Sequence, residues 1–354
     1  MKCEIRIGTR KSELSIAQTM LVADAIRAAC PDIEPVLVGR STMGDKILDK
    51  PLLAFGGKGV FVSEFEEALL QGEIDLAVHS AKDMPLELAE GLDILGVLPR
   101  GDVRDVLVTM ADGPQAIMAD RSGPTEPVRI GTSSLRRSIQ IQELGSRLWP
   151  GRTVICKDLR GNVLTRLEKL ESGQYQGIIL AAAGLDRLQI SKLRKGRYRY
   201  RYFTPEEMIP AGGQGILAIE GKKGGPMEPV IARISDRIAM GELQAERQVL
   251  KRLGAGCHEP IGVYCRIDAG ADDRPAKLTT SGNGKRADMQ AGCGCGDRGG
   301  SGQQLLLTGI YEKDGVRRRA AVCVDGLWTE GRLEETDRLL AAADRLADKL
   351  SGKQ

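Results

Sequence analysis

Aromatic residues make up only 3% of the 354 positions, so the stacking platforms on which single-stranded RNA is usually held are scarce. The two histidines, His79 and His258, are too few for histidine-rich metal chemistry, and no metal site is expected. No apolar run reaches the roughly 18–20 residues that a bilayer span needs. The first thirty residues hold no long apolar stretch of the kind a secretory leader carries. A soluble, cytoplasmic chain with no membrane partner is therefore expected. Eight cysteines, at positions 3, 30, 156, 257, 265, 293, 295 and 323, form no regular framework, which suits a reducing compartment better than a disulfide scaffold. Cys293-Gly294-Cys295 has no nearby histidine or further cysteine pair and falls short of a zinc site.

What the sequence does contain is length and a strong charge asymmetry. A chain of this size outgrows a single hydrophobic core, and two or three domains are expected. The net charge of +3 conceals a segment, Arg129 to Arg201, where 16 Lys and Arg face five acids, a local +11 that leaves the remainder at −8. Its arginines stand singly on separate loops, an arrangement that suits a small polyanion at least as well as nucleic acid. Arg194 to Arg201, with Tyr198, Tyr200 and Tyr202 interleaved, reads as a solvated edge or connecting loop rather than an RNA surface.

Ile5 and Ile7 alternate into Gly8-Thr9-Arg10-Lys11-Ser12, after which Leu14, Ala17, Leu21, Ala25 and Ala28 recur at helical spacing up to Pro31, giving strand, loop and helix. Ser12 at the N-cap sets Arg10 and Ser12 where a sheet edge meets a positive helix end, either as an anion site or as ordinary capping. Pro35 to Val38 is the next strand. The polar, Gly-rich run from Gly39 to Gly59 reads as a mobile flap, and its Gly56-Gly57-Lys58-Gly59 lacks the Gly-Lys-Ser/Thr ending of a nucleotide loop. Ser63 and Glu66 predict a capping box for a helix carrying Phe65, Leu69 and Leu70. The strand Ile74 to His79 runs into Ser80-Ala81-Lys82-Asp83-Met84-Pro85, so polar residues gather at a strand's carboxyl end, where open α/β sheets bind ligands. Asp83 beside Lys82 is either a carboxylate placed for proton transfer or a surface ion pair.

Val128 to Ile130 feeds Gly131-Thr132-Ser133-Ser134-Leu135-Arg136-Arg137, with Leu135, Ile139 and Leu144 as a helical stripe and Gly145 as its stop. Hydroxyl caps and two arginines around one helix N-terminus predict a site for carboxylate or phosphate. The pattern repeats. Strand Thr153 to Cys156 leads through Lys157-Asp158-Leu159-Arg160-Gly161-Asn162 to a helix containing Arg166, and strand Gly177 to Leu180 ends at Ala183-Gly184-Leu185-Asp186-Arg187. Several strand ends thus deliver arginines towards one crevice. Ile209 to Gly215 reads as a hinge entering the strand Ile216 to Ile219. A helical pattern from Pro229 then runs through Ile238, Leu243 and Val249 to the loop Leu253-Gly254-Ala255-Gly256-Cys257-His258-Glu259-Pro260-Ile261-Gly262. We read the Cys257 thiol as a covalent attachment point, since a thiolate near cations is a strong nucleophile and a thioether is stable. A small apolar residue in a turn is the alternative. A last domain follows, with a Gly-rich interior, strands Leu305 to Tyr311 and Ala320 to Val324, and an amphipathic helix from Glu334 to Leu350.

Together these stretches resemble the porphobilinogen deaminase family over nearly the whole chain. The matching pieces, in order, are Gly8 to Ser12, Gly56 to Gly59, His79 to Pro85, Gly131 to Arg137, Leu159 to Asn162, Ala183 to Leu185, Pro210 to Gly215 and the Cys257 loop. The resemblance implies an α/β fold of two periplasmic-binding-protein-like (type II) domains with mixed sheets plus a smaller α/β C-terminal domain. The boundaries expected are 1–105 for domain 1, completed by about 210–232, then 106–209 for the arginine-rich domain 2. Residues 233–354 form the cysteine-bearing domain, with an insertion at about 270–304.

The resemblance also implies a dipyrromethane cofactor joined to Cys257, with Asp83 as principal acid/base at the pyrrole nitrogens. Lys82, Thr132, Ser134, Arg136, Arg137, Arg160 and Gly161 are implied on the cofactor side. Arg10, Ser12, Gln18, Arg160, Arg166, Arg187 and Gln214 are implied on the substrate side. The implied reaction joins four porphobilinogen molecules head to tail, loses ammonia each time and releases hydroxymethylbilane for heme biosynthesis. A cytoplasmic monomer without nucleic acid is implied. The chemistry matches the residue types, because one carboxylate can stabilise the positive charge left on a pyrrole that has lost ammonia. Two carboxylates per pyrrole also need many cations. Glu13, Lys157 and the long insertion depart from the family pattern. A non-catalytic two-lobed small-anion binding or sensor protein is the rival expectation; it needs the arginines but no thiol.

Overall fold

The computed structural model describes residues 3–40, 62–112, 126–254, 259–268, 304–325 and 334–352. The first segments contain β1 (Cys3–Arg10), α1 (Glu13–Ala29), β2 (Ile33–Arg40), α2 (Ser63–Gln71), β3 (Leu76–Ser80), a 3-10 turn at Ala81–Asp83, β4 (Leu92–Val97) and β5 (Asp105–Met110). Then come β6 (Val128–Gly131), α3 (Leu135–Leu148), β7 (Val154–Lys157), α4 (Val163–Glu171), β8 (Gly177–Ala181), α5 (Ala182–Arg187), α6 (Ile190–Leu193), β9 (Tyr198–Tyr202) and β10 (Leu217–Lys222). The last are α7 (Glu228–Ala232), α8 (Arg237–Leu253), β11 (Ile261–Asp268), β12 (Gln304–Lys313), β13 (Val316–Asp325) and α9 (Glu334–Ser351). The predicted Gly-rich flap, from residue 41 onwards, the Cys257 thiol and the insertion to residue 303 lie outside the described residues.

Two five-stranded sheets share one design. The first has the order β2-β1-β3-β10-β4, the second β7-β6-β8-β5-β9. In each, four strands run in one direction and one antiparallel strand is inserted: β10 between β3 and β4, and β5 between β8 and β9. The chain passes from the first sheet to the second between β4 and β5 and returns between β9 and β10, so the first sheet is completed by a strand from beyond both crossings. These are the mixed sheets expected of two periplasmic-binding-protein-like domains. The third sheet is an antiparallel meander, β11-β12-β13.

Alternation explains the cores. Ile5 and Ile7 of β1 are buried with Val22, Ala23 and Ile26 of α1, side chains that recur at three- and four-residue intervals along the helix. The second sheet buries Val106 and Val108 on one face and Leu107 on the other, with Leu167 and Leu170 of α4 covering the first and Ile141 and Leu144 of α3 the second. The third sheet packs Val263, Cys265, Leu305 and Leu307 under Leu339, Ala343 and Leu346 of α9 and Ala245 and Val249 of α8. Each full burial of a Leu, Ile or Val contributes about 1.5–3 kcal/mol.

Three local expectations change. No capping box forms at Ser63: the cap position belongs to Val62, which offers no side-chain acceptor, and the Glu66 carboxylate accepts the Ala89 N–H at 3.0 Å instead. Gly145 does not stop α3, which continues to Leu148; a Cβ there would stand 2.6 Å from the Val154 side chain, so this glycine serves helix–strand contact. The pattern from Pro229 breaks into α7 and α8, because Asp236 caps α8 by accepting the Ala239 N–H at 2.8 Å.

Candidate active site

The carboxyl ends of β1 and β3, the N-termini of α3 and α4 and the two crossings meet in one crevice. Ser80 ends β3, and the 3-10 turn behind it presents a half-buried Lys82 and an exposed Asp83. The turn is clamped by the returning chain. The Ala81 N–H donates to the Ile216 carbonyl at 3.0 Å, and Gly213 lies against the turn with φ +76°, where a Cβ would meet Ala81 C and Lys82 N at 2.9 Å. Only glycine supports that approach. Arg10, Asp83 and Ser80 line one small cavity with Val62, Phe65, Val78 and His79, and the Gln18 amide donates to the Ser80 hydroxyl at 3.0 Å. Ser12 is the N-cap of α1, its hydroxyl accepting the Ser15 N–H at 3.2 Å.

On the opposite wall, Ser134 caps α3 by accepting the Arg137 N–H, and the Thr132 hydroxyl accepts the Ser134 N–H at 3.2 Å. Ser133, whose role the motif left open, instead ties this loop to the next by exchanging hydrogen bonds with the Leu159 backbone, each at 3.0 Å. Asn162 caps α4. Gly161 before it adopts φ +110°, and its carbonyl accepts from Arg166 Nε at 2.7 Å. Arg187, at the end of α5, donates to the Gly215 carbonyl at 2.7 Å.

The two adjacent arginines are engaged inside the protein. Arg136 Nη1 donates to Asp105 Oδ2 at 2.7 Å, and Arg137 Nε and Nη2 donate to Asp105 Oδ1 at 3.0 and 2.7 Å. Gln214 Nε2 adds a fourth contact to this carboxylate, to Oδ1 at 3.1 Å. Burial by itself would raise the Asp105 carboxyl; Arg136 and Arg137 outweigh it and hold the group far below the usual carboxylate range. The sequence reading missed Asp105. Its only signal is an acid heading the apolar run Val106 to Val108.

Electrostatic coupling shows which groups face one another. Burial lowers Lys82 to about 8, with Asp83 and Asp105 pulling it up and Arg137 and Arg136 pushing it down. Burial likewise lowers Arg166 to about 10, opposed by Asp83 and reinforced by Arg137 and Arg160. Lys82, Asp83, Arg136, Arg137, Arg160 and Arg166 therefore share one field around a single exposed carboxylate. Burial lowers Arg187 to about 10, with Asp186 opposing. Such a wall attracts a multiply anionic small molecule while keeping one acid/base at its centre. Among the described residues no group of three or more metal-ligating side chains is present, and no helix is long and apolar enough to cross a membrane.

Residues 5–227 match the family model described as "Porphobilinogen deaminase, dipyromethane cofactor binding domain", and residues 241–280 match "Porphobilinogen deaminase, C-terminal domain". The chain belongs to the porphobilinogen deaminase family. It is 43% identical over 261 residues to a porphobilinogen deaminase of Acetivibrio thermocellus, covering 74% of this chain and 82% of that relative. Identity to a porphobilinogen deaminase of Roseiflexus castenholzii is 42% over 269 residues, 76% of this chain and 83% of the relative. A probable porphobilinogen deaminase of Picrophilus torridus is 40% identical over 260 residues, 73% and 84% of the two chains. The family model for the cofactor domain spans both five-stranded sheets and every site residue named above except the Cys257 thiol.

Proposed function

We propose that the chain is a hydroxymethylbilane synthase that condenses four porphobilinogen molecules head to tail with release of ammonia, using a dipyrromethane primer held through Cys257. The observation that carries this is the single exposed carboxylate of Asp83 amid Lys82, Arg136, Arg137, Arg160 and Arg166. The donor set fits a primer with several carboxylates and pyrrole N–H groups: cations for the former, one carboxylate for the latter. The primer, when bound, supplies an unsubstituted ring carbon for chain extension.

The protein's own residues then divide the work. Lys82, Thr132, Ser134, Arg136, Arg137, Arg160 and Gly161 hold primer carboxylates; Arg10, Ser12, Gln18, Arg160, Arg166, Arg187 and Gln214 bind the incoming pyrrole. Asp83 accepts the ring N–H of the pyrrole that is losing ammonia, stabilises the charge developing there and moves the proton at that nitrogen. Arg136 and Arg137 act with Asp105 between them, so the pair presents one net positive charge rather than two, orienting a carboxylate without binding it so tightly that the product stays. The same reading divides the chain into domain 1 (1–105, completed by about 210–232), domain 2 (106–209) and a cysteine-bearing domain (233–354). It has the enzyme work as a cytoplasmic monomer without nucleic acid.

Intact mass under denaturing conditions tests the proposal. The wild-type chain is expected to exceed its sequence mass by two pyrrole units, and Cys257→Ser to lack the excess. A wild type that stays unmodified after incubation with porphobilinogen would instead favour the anion-binding protein.

A further inference from the structure

The crevice is mostly cationic, yet porphobilinogen brings an ammonium as well as two carboxylates. One corner has the opposite character. His79 on β3 and Glu220 on β10 lie on the same face of the first sheet, diagonally across an antiparallel pair in which Ala218 opposes His79 and Glu220 opposes Ala77. His79 Nε2 and Glu220 Oε2 are 2.9 Å apart. Glu220 is 0% exposed, and its other oxygen, Oε1, has no hydrogen-bond partner among the described residues. Its one ion-pair partner among them is His79, although a buried carboxylate normally demands a full cation.

His79 does not end in the core. It lines the cavity shared with Arg10, Ser80, Asp83 and Phe65, and its ring makes a T-shaped contact with Phe65 at a centroid distance of 5.6 Å. The charged groups around it are Glu220 from β10, Glu66 from α2, Arg10 from β1 and Asp83 from the turn. Burial raises the Glu66 carboxyl, Glu220 adds to the rise, and the Ala89 N–H and His79 oppose it. Three carboxylates thus surround one imidazole and one guanidinium. With Nε2–H donated to Glu220, the imidazole offers Nδ1 as an acceptor, and the buried carboxylate behind it fixes the ring's tautomer and orientation.

Resting on the porphobilinogen reading, we infer that His79, oriented by Glu220, accepts a hydrogen bond from the aminomethyl ammonium of the incoming pyrrole. This is the end of the molecule from which ammonia departs. Asp83 faces the ring nitrogen, His79 the side-chain nitrogen, and the arginines the carboxylates. Each functional group of the substrate then meets a complementary partner, and a pyrrole diacid without the amine is discriminated against.

The test compares porphobilinogen with the same pyrrole diacid bearing methyl in place of aminomethyl, as competing ligands of the holoenzyme. The wild type is expected to prefer the amine. His79→Gln should lower that preference about tenfold or more, the size of one charge-assisted hydrogen bond, and Glu220→Gln should lower it in the same direction with affinity for the methyl compound unchanged. Equal preference in wild type and folded variants overturns the inference, as does a wild type that binds both compounds alike. A wild type that binds neither overturns the functional reading together with it. Should the variants fail to fold, histidine NMR of the wild type decides, because only two imidazoles exist and His258→Asn assigns them. The His79 signals should respond to the amine and not to the methyl compound; an identical response to both refutes the contact.

Discussion

Asp105 shapes the site although it touches none of the exposed surface. Fully buried, it accepts hydrogen bonds from Arg136, Arg137 and Gln214, so it neutralises one of two guanidiniums and fixes the orientation of both. Asp105→Asn would leave two buried cations with no carboxylate between them. We expect it to cost about 3–5 kcal/mol, read as a lowered urea midpoint, and a loss under 1 kcal/mol would show that the arginines find other partners. Lys82 allows a pH prediction. Burial depresses its ammonium to about 8, so it is charged below that pH and neutral above it. Capture of the primer by the apoprotein, followed by intact mass, should weaken as pH rises through about 8, and Lys82→Arg should abolish that limb. The residues at strand ends were legible in the sequence because Gly, Ser/Thr and Arg cluster there for chemical reasons that survive without coordinates. Asp105, His79 and Glu220 were not, since each reads locally as an ordinary strand residue and gains its meaning from a partner 31 to 141 positions away.

At the scale of the element, α8 does more than cover the third sheet. Glu242 and Glu246, one turn apart, point the same way. Glu246 accepts from Arg100 through both oxygens, from the Gly213 N–H at 2.6 Å and from the Cys265 N–H at 2.7 Å. Glu242 accepts from Arg100 at 3.2 Å and from the Ile267 N–H at 3.1 Å. One helix therefore holds both crossings and β11, and through Gly213 it steadies the Ala81–Asp83 turn. Burial raises Glu242 from 4.5 to about 7, with Glu246 adding to the rise and Arg100 opposing it. Its folded value exceeds its unfolded one, so the stability linked to it is fully present below about 4.5 and is lost as pH rises through about 7. Glu242→Gln keeps an acceptor for Ile267 but cannot titrate. The wild type should lose roughly 1–3 kcal/mol relative to this variant between pH 4.5 and 7.5, at about 1.4 kcal/mol per pKa unit, as measured by denaturant unfolding at both ends. A constant difference would mean that Glu242 stays charged throughout. The amphipathic stripe of α8 was legible in the sequence, whereas its two buried acids look there like solvated positions on a helix rich in Arg and Lys.

For the whole molecule, Arg100 is the point at which the three sheets are joined. It sits in the first crossing and donates to the Gln214 carbonyl in the second, to Glu242 and Glu246 of α8 and to the Cys265 carbonyl of β11, with its guanidinium 5.2 Å from the Tyr264 ring centroid. The exposed contacts of the third sheet with α3, from Arg317 and Arg319 to Glu143, are worth at most about 1 kcal/mol each, so they cannot replace it. Each sheet has its own core, and besides this junction the second and third units meet where Ile139 of α3, Ile209 and Ile310 of β12 are buried together. Arg100→Met preserves the side-chain bulk but leaves Glu246, fully buried, without its cation, at a cost of about 3–5 kcal/mol. We expect the loss to appear as uncoupling. Trp149 fluorescence, which reports the second core, and hydrogen exchange of the β11–β13 amides should give coincident urea transitions in the wild type. In Arg100→Met the third sheet should open at lower urea than the second core. Transitions that remain coincident in the variant would place the coupling in the apolar contact of Ile139, Ile209 and Ile310 rather than in the ion cluster.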